Sequence, residues 1–183
     1  MIYRGIFLRS FPIRESSFIV KVLTDQEGSV PVFLRGKKKN IFRKLVFPGT
    51  LMDVELIKTK SEIAILNEYN VISSPEIKSF NQSILLLSYL DIIDKIARGV
   101  FESVERVAKN IISNGETQFK DQAWLVRCLN EEFYCAGFLD AISCNENIHD
   151  YKTIKSRIIE ILGYLPKSIK LVDKEVYGKN LDF

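Results

Sequence analysis

Histidine is almost absent from this chain: His149 stands alone among 183 residues. That leaves little room for imidazole-based metal binding or acid–base chemistry. Cysteine is nearly as scarce. Cys128, Cys135 and Cys144 form an odd set, expected as reduced thiols of the cytosol rather than a disulfide framework. No apolar run approaches the roughly 18 residues needed to cross a bilayer, and Arg4 and Arg9 interrupt the first apolar segment, which argues against a signal peptide. The expected location is cytoplasmic, with no membrane partner. A phosphate-binding loop is missing too. One ending on Gly36-Lys37 would need Gly at 31 and Ser or Thr at 38, where the chain has Pro31 and Lys38, so ATP hydrolysis is not supported.

What the chain has is a balanced composition. Hydrophobic residues make up 46% and charged residues 27%, enough to fill a core and stay dissolved, as one ordinary domain or two small ones. The net charge of +3 is unevenly spread. Residues 1–80 hold 13 Lys/Arg against 8 Asp/Glu, and residues 81–183 hold 13 against 15. Arg35, Lys37, Lys38, Lys39, Arg43 and Lys44 place six cations in ten residues without an acid. Such a cluster concentrates a polyanion near it. A solvated loop is the plain alternative, and membrane-surface attraction is the lesser one, because the run lacks an amphipathic apolar face. Nucleic acid is the favoured partner.

The first 75 or so residues read as strands. Ile2 to Ser10 is apolar and β-prone. Ser17 to Thr24 alternates, with Phe18, Val20 and Val22 on one face and Ile19, Lys21 and Leu23 on the other. Asp25-Gln26-Glu27-Gly28 is a turn, and Ser29 to Arg35 alternates again, with Val30, Val32 and Leu34 facing one way. Pro31 lacks an N–H and is expected at an edge or bulge. After Pro48-Gly49, Leu51 to Lys58 presents Met52, Val54 and Leu56 inward and Asp53 and Glu55 outward, and Ile63 to Ile72 makes a fifth strand. Five short strands suggest a small barrel or a strongly coiled sheet, and their order fits a five-stranded Greek-key barrel, the OB fold.

Ser73-Ser74-Pro75 marks a boundary. Beyond it Leu86, Leu90, Ile93, Ala97, Val100, Val104, Val107 and Ile111 recur at steps of four and three, a helical period. Gly99 in the middle of this stripe weakens a single long helix and favours two antiparallel ones, about 78–98 and 101–114. A third helix, about 118–139, carries Leu125, Leu129, Phe133, Ala136 and Leu139; a fourth, about 151–163, carries Ile154, Ile158, Ile161 and Leu162. The class is thus α+β: an N-terminal five-stranded barrel over 1–75, then an all-α domain over 76–183.

Gly5-Ile6-Phe7-Leu8-Arg9, Glu15-Ser16-Ser17, Thr24 with Gly28, Arg35-Gly36-Lys37-Lys38 and Pro48-Gly49-Thr50 together resemble the N-terminal domain of RecO, the bacterial recombination mediator family. The helical half is similar more loosely, through Ala136-Gly137-Phe138-Leu139 approaching Cys144. The resemblance implies a non-enzymatic protein of recombinational repair that pairs an OB-fold domain with a helical one. It implies binding of single- and double-stranded DNA and annealing of complementary strands. The implied partners are the tail of single-stranded DNA-binding protein and a RecR-like protein that helps load recombinase.

Many relatives carry a four-cysteine zinc module opening with C-x-x-C. Here Cys144 stands where the first cysteine would be, Asn147 replaces the second, and none follows. Cys144 with His149 cannot complete a tetrahedral site, so neither metal nor cofactor is expected, and the C-terminal lobe is expected to be short and zinc-free.

The candidate nucleic-acid-binding residues are Arg35, Lys37, Lys38, Lys39, Arg43 and Lys44, extended by Arg9, Arg14 and Lys21 on neighbouring strands. Lysines serve as point charges, and Arg35 and Arg43 offer bidentate phosphate contacts. Phe7 shares the parity of Arg9, and Phe33 that of Arg35, so these four make an outward stacking face unless the helical domain covers both rings, the reading preferred here. Phe42, inside the basic run, is the better stacking candidate unless it anchors the loop. Catalytic pairs fail on spacing: Cys144 and His149 lie in a polar loop without an orienting scaffold, and adjacent Glu131 and Glu132 do not share a helix face. Cys128, Cys135 and Trp124 read as helix packing. The competing function is a scaffold whose basic segment meets an acidic peptide; a general RNA-binding OB protein is a third.

Overall fold

The computed structural model describes residues 1–14, 17–35, 42, 46–97, 104–113, 116–119, 121–139 and 150–176. Two compact units emerge: Met1–Glu76 with Ala97–Glu116, and Ile77–Ile96 with the chain from Thr117 onward.

Five strands build the first unit: β1 (Ile2–Arg14), β2 (Ser17–Thr24), β3 (Gly28–Arg35), β4 (Leu51–Ile57) and β5 (Ala64–Ser73). They close in the order β1-β2-β3-β5-β4, with β4 returning to β1. Every pairing is antiparallel except β3 with β5, which run parallel through Val32↔Ala64 and Phe33↔Ile65. This is the OB-like barrel that the strand order implies. Closure leaves almost no free edge. Alternation then fills the interior: Val20, Val22, Val30, Val32, Leu34, Met52, Val54 and Leu56 form one buried cluster. Each such side chain contributes about 1.5–3 kcal/mol by leaving water. Pro31 pairs with Lys21 on one side, and on the other it precedes the first β5 partner at Val32, so its missing N–H breaks no ladder bond to β5.

The small residues of the front motifs are joints. Thr24 is buried; its hydroxyl donates to the Gly28 carbonyl at 3.3 Å and accepts from the Glu27 N–H at 3.2 Å, while Gly28 takes φ 67° to turn the hairpin. Gly49, at φ 88°, donates its N–H to the Phe7 carbonyl at 2.8 Å, and the Phe7 N–H donates to Thr50 O at 2.9 Å. Gly5 sits opposite both Thr24 and Met52, where a Cβ would fall 2.6 Å from Val22 Cγ1 and 2.9 Å from the Leu23 carbonyl.

One stretch beyond the barrel returns to it. Helix α1 (Phe80–Ile96) belongs to the second unit, but α2 (Val104–Ile111) belongs to the first and packs on β1. Asp25, in the β2–β3 turn, accepts the Val104 N–H at 2.7 Å, satisfying one of the helix's orphan donors. Val104, Val107 and Ile111 are buried, as are Ile6, Leu8 and Leu23, which lie outside the interior cluster. A division at residue 75 therefore misplaces 97–116: the continuous apolar stripe in the sequence serves two different cores. Strands β6 (Ile112–Ser113) and β7 (Glu116–Thr117) form a two-stranded ribbon where the chain passes from the first unit to the second.

The second unit is helical: α1 with α3 (Gln122–Cys135), α4 (Tyr151–Leu162), a short α5 (Lys167–Leu171) and a π turn over Val172–Val176. Asp121 and Asp150 cap α3 and α4 by accepting N–H groups of their first turns, as N-cap carboxylates do. Tyr89, Phe119, Trp124, Leu125, Leu129 and Phe133 are buried in it, with Tyr89 and Phe119 packed edge-on against Trp124. The Tyr89 hydroxyl donates to fully buried Glu132 at 2.9 Å. Cys128 is buried, and desolvation pushes its thiol up to about 12. Cys135, expected in the packing, is exposed instead, because the helix ends there and Ala136 is its C-cap. No helix among the described residues is long and apolar enough to cross a membrane.

Replacing Gly5 with Ala forces its Cβ into Val22 and a backbone carbonyl. Overpacking of this kind costs about 1–3 kcal/mol. A chemical-denaturation midpoint lowered accordingly is the expected result, and an unchanged midpoint would show that the β1–β2 contact has slack.

Candidate nucleic-acid interface

An irregularity in β1 helps to set the barrel's outer face. Register is continuous at Phe7↔Val22 and resumes at Arg9↔Lys21, so Leu8 is an extra residue in β1. A bulge of this kind reverses which side chains face the core. Phe7 consequently points inward with Val22 and is buried in the interior cluster, whereas Arg9 shares the outward side of Lys21. The expected common face of Phe7 and Arg9 does not exist, and Phe7 is covered by the barrel's own interior rather than by the helical half.

Phe11 takes the place expected of Phe7. Across the barrel Phe11 pairs with Ile19, Ile19 with Phe33, Phe33 with Ile65, and Ile65 with Ile57. Phe11, Ile65 and Ile57 are 38%, 40% and 50% exposed, and Ile19 and Phe33 are half-buried. This is an apolar row on the outside of a closed barrel. Two residues along, at a spacing of roughly 7 Å, Arg9, Lys21 and Pro31 form a second row. The Arg9 guanidinium lies 4.8 Å from the Phe11 ring centroid, a cation–π distance. On the other side, Ser17 is paired with Arg14 and with Arg35. Opposite the β2–β3 side the balance changes: β4 and β5 carry Asp53, Glu55 and Glu68, with Glu55 opposite Glu68. Cations and rings thus share the β1–β2–β3 side.

Lys37, Lys38, Lys39, Arg43 and Lys44 lie outside the described residues, as do Cys144, Asn147 and His149. Both flanks of the basic segment are placed. It leaves at the end of β3 and returns through Phe42 and Val46, whose N–H donates to the Phe42 carbonyl at 2.8 Å. Phe42 is 2% exposed, with its ring edge-on to Phe7 at 5.3 Å and to Tyr69 at 5.1 Å. Its ring is therefore an anchor, withdrawn from the outer face. Beside it a cleft of about 200 Å³ opens among Phe7, Phe18, Phe42, Leu34 and Val46, with Arg9 and Ser10 also on its wall.

Residues 1–75 match the family described as Recombination protein O N terminal. The N-terminal domain belongs to the RecO N-terminal family. A search of curated proteins finds no match. The matched span is the barrel itself, from β1 to the end of β5, and Gly5, Thr24, Gly28, Gly49 and Thr50 are joints of its backbone. The match thus accounts for the architecture of the barrel. Phe11 and the Leu8 bulge are the elements that sequence reading missed. The run Ile6-Phe7-Leu8 was a partial signal, since three successive apolar residues break strict alternation.

Phe42→Ala removes a buried ring, at a cost of about 3–5 kcal/mol. A large fall in denaturation midpoint is expected; full stability with weakened strand binding would make Phe42 a platform instead.

Proposed function

We propose that the chain is a RecO-like mediator that binds single- and double-stranded DNA through its barrel and promotes annealing without chemistry on the strand. The observation that carries this reading is the side of the barrel where an apolar row, Phe11–Ile19–Phe33, runs beside Arg9 and Lys21. Six cations in sequence join β3 to β4 at the same domain. Cations hold the phosphates and apolar faces stack the bases, a division of labour that needs no sequence preference. Sheet surfaces of this size stack two or three bases. A strand laid out this way keeps its pairing edges outward, and the screened charge lets a complementary strand approach. Contacts with an acidic tail of single-stranded DNA-binding protein and with a RecR-like partner belong to the same proposal. No cofactor is invoked.

Filter or fluorescence binding of an oligonucleotide across a salt series is the test. With about three to six phosphate contacts, log K falls with log salt at a slope of roughly −2 to −4. Changing Lys37, Lys38 and Lys39 together to Gln makes that slope shallower by about 2. Salt-insensitive binding, or an unchanged slope in the triple variant, contradicts the reading. Affinity for an acidic peptide without affinity for oligonucleotides would favour the scaffold instead.

A further inference from the structure

We propose that the cleft at the barrel end is a slot for one nucleobase swung out of a bound single strand. The inference rests on the strand-binding reading above and adds to it a place for a base inside the wall rather than on the outer face.

Size comes first. An apolar cavity of about 150 Å³ admits benzene, so a cleft of about 200 Å³ has room for a heterocyclic base. Chemistry comes second. Three rings, Phe7, Phe18 and Phe42, border it, and Phe7 and Phe42 already meet edge to face at 5.3 Å. A flat π-system gains dispersion and quadrupole contacts there. The wall is not wholly apolar: Arg9 and Ser10 lie on it, and Ser10 is exposed. A base has a polar edge to set against them.

Charge selects the occupant. Arg9 is on the wall itself and is paired with Lys21 on the next strand. Cations thus stand beside an aromatic-lined hole. A ligand that carries an aromatic ring and a negative charge on every repeat is a nucleic acid strand. Thymine fits this wall best, because its methyl group adds apolar surface and its few polar groups lessen the desolvation cost.

The strand holds one base in the cleft while its neighbours lie on the outer row and its phosphates meet the cations. Such a base pins the strand locally, and pairing proceeds on the bases to either side.

The test compares a short oligothymidylate with an abasic deoxyribose-phosphate strand of equal length, on the full chain and on Ser10→Trp. Ser10 is at the exposed end of the cleft, so the indole closes the slot and leaves every cation in place. Ser10→Ala, which leaves the cleft open, is the control for disturbance of β1. Expected is a loss of about tenfold or more in oligothymidylate affinity for Ser10→Trp, in the range of one lost stacked base, with no change on the abasic strand or for Ser10→Ala. Equal effects on both strands, or none on either, overturn the slot while leaving strand binding intact. No affinity of the wild-type chain for either strand overturns the strand-binding reading itself, and the slot with it. A Ser10→Trp variant that loses an acidic peptide with an apolar end, while keeping oligothymidylate, reassigns the cleft to a peptide.

Discussion

An additional residue in β1 decides what the middle of that strand shows to the solvent. Between Phe7↔Val22 and Arg9↔Lys21 the strand gains Leu8 without a partner, and the stretch from Arg9 to Pro12 reverses sense, up to a second shift between Pro12 and Arg14. Phe7 turns in to meet Phe42; Arg9 and Phe11 turn out to lie together. Without the bulge the guanidinium of Arg9 would be driven toward the interior cluster, where an ion costs several kcal/mol to desolvate. The bulge thus reconciles a filled core with a cationic outer face on the same strand.

The same economy governs the end of the barrel. Between β3 and β4 the sequence is dense in lysine and arginine, like charges that repel one another. Phe42 interrupts that segment with a ring buried against Phe7 and Tyr69, and the Gly49 and Thr50 bonds to the Phe7 backbone hold the return into β4. In the proposed function, affinity for a polyanion comes from concentration of charge, and discrimination between paired and unpaired strands from apolar surface that only unpaired bases can reach.

How much of this was legible depended on whether one local rule sufficed. Alternation in Phe18–Val22 and Val30–Leu34 gave both strands and their inner faces, because each residue there obeys a period of two. Leu86, Leu90, Val104 and Ile111 were legible as helical and buried. Their division between two units was not, since the cap from Asp25 to Val104 spans 79 residues and leaves no local trace. Phe11 escaped notice for the same reason: its facing follows from a bulge that only the pairing with β2 reveals. Phe42 allowed both roles, stacking platform or anchor, because a ring among cations looks the same either way until its neighbours Phe7 and Tyr69 are in place.

The central claim is that the barrel, rather than the helical unit, meets the strand. Hydrogen–deuterium exchange of the full chain, with and without a short single-stranded oligonucleotide, addresses it directly. The account expects slowed exchange at Arg9–Phe11, Ile19–Lys21 and Val32–Phe33 when the strand is present. Slowed exchange confined to α3 and α4, with the barrel strands unchanged, would contradict it.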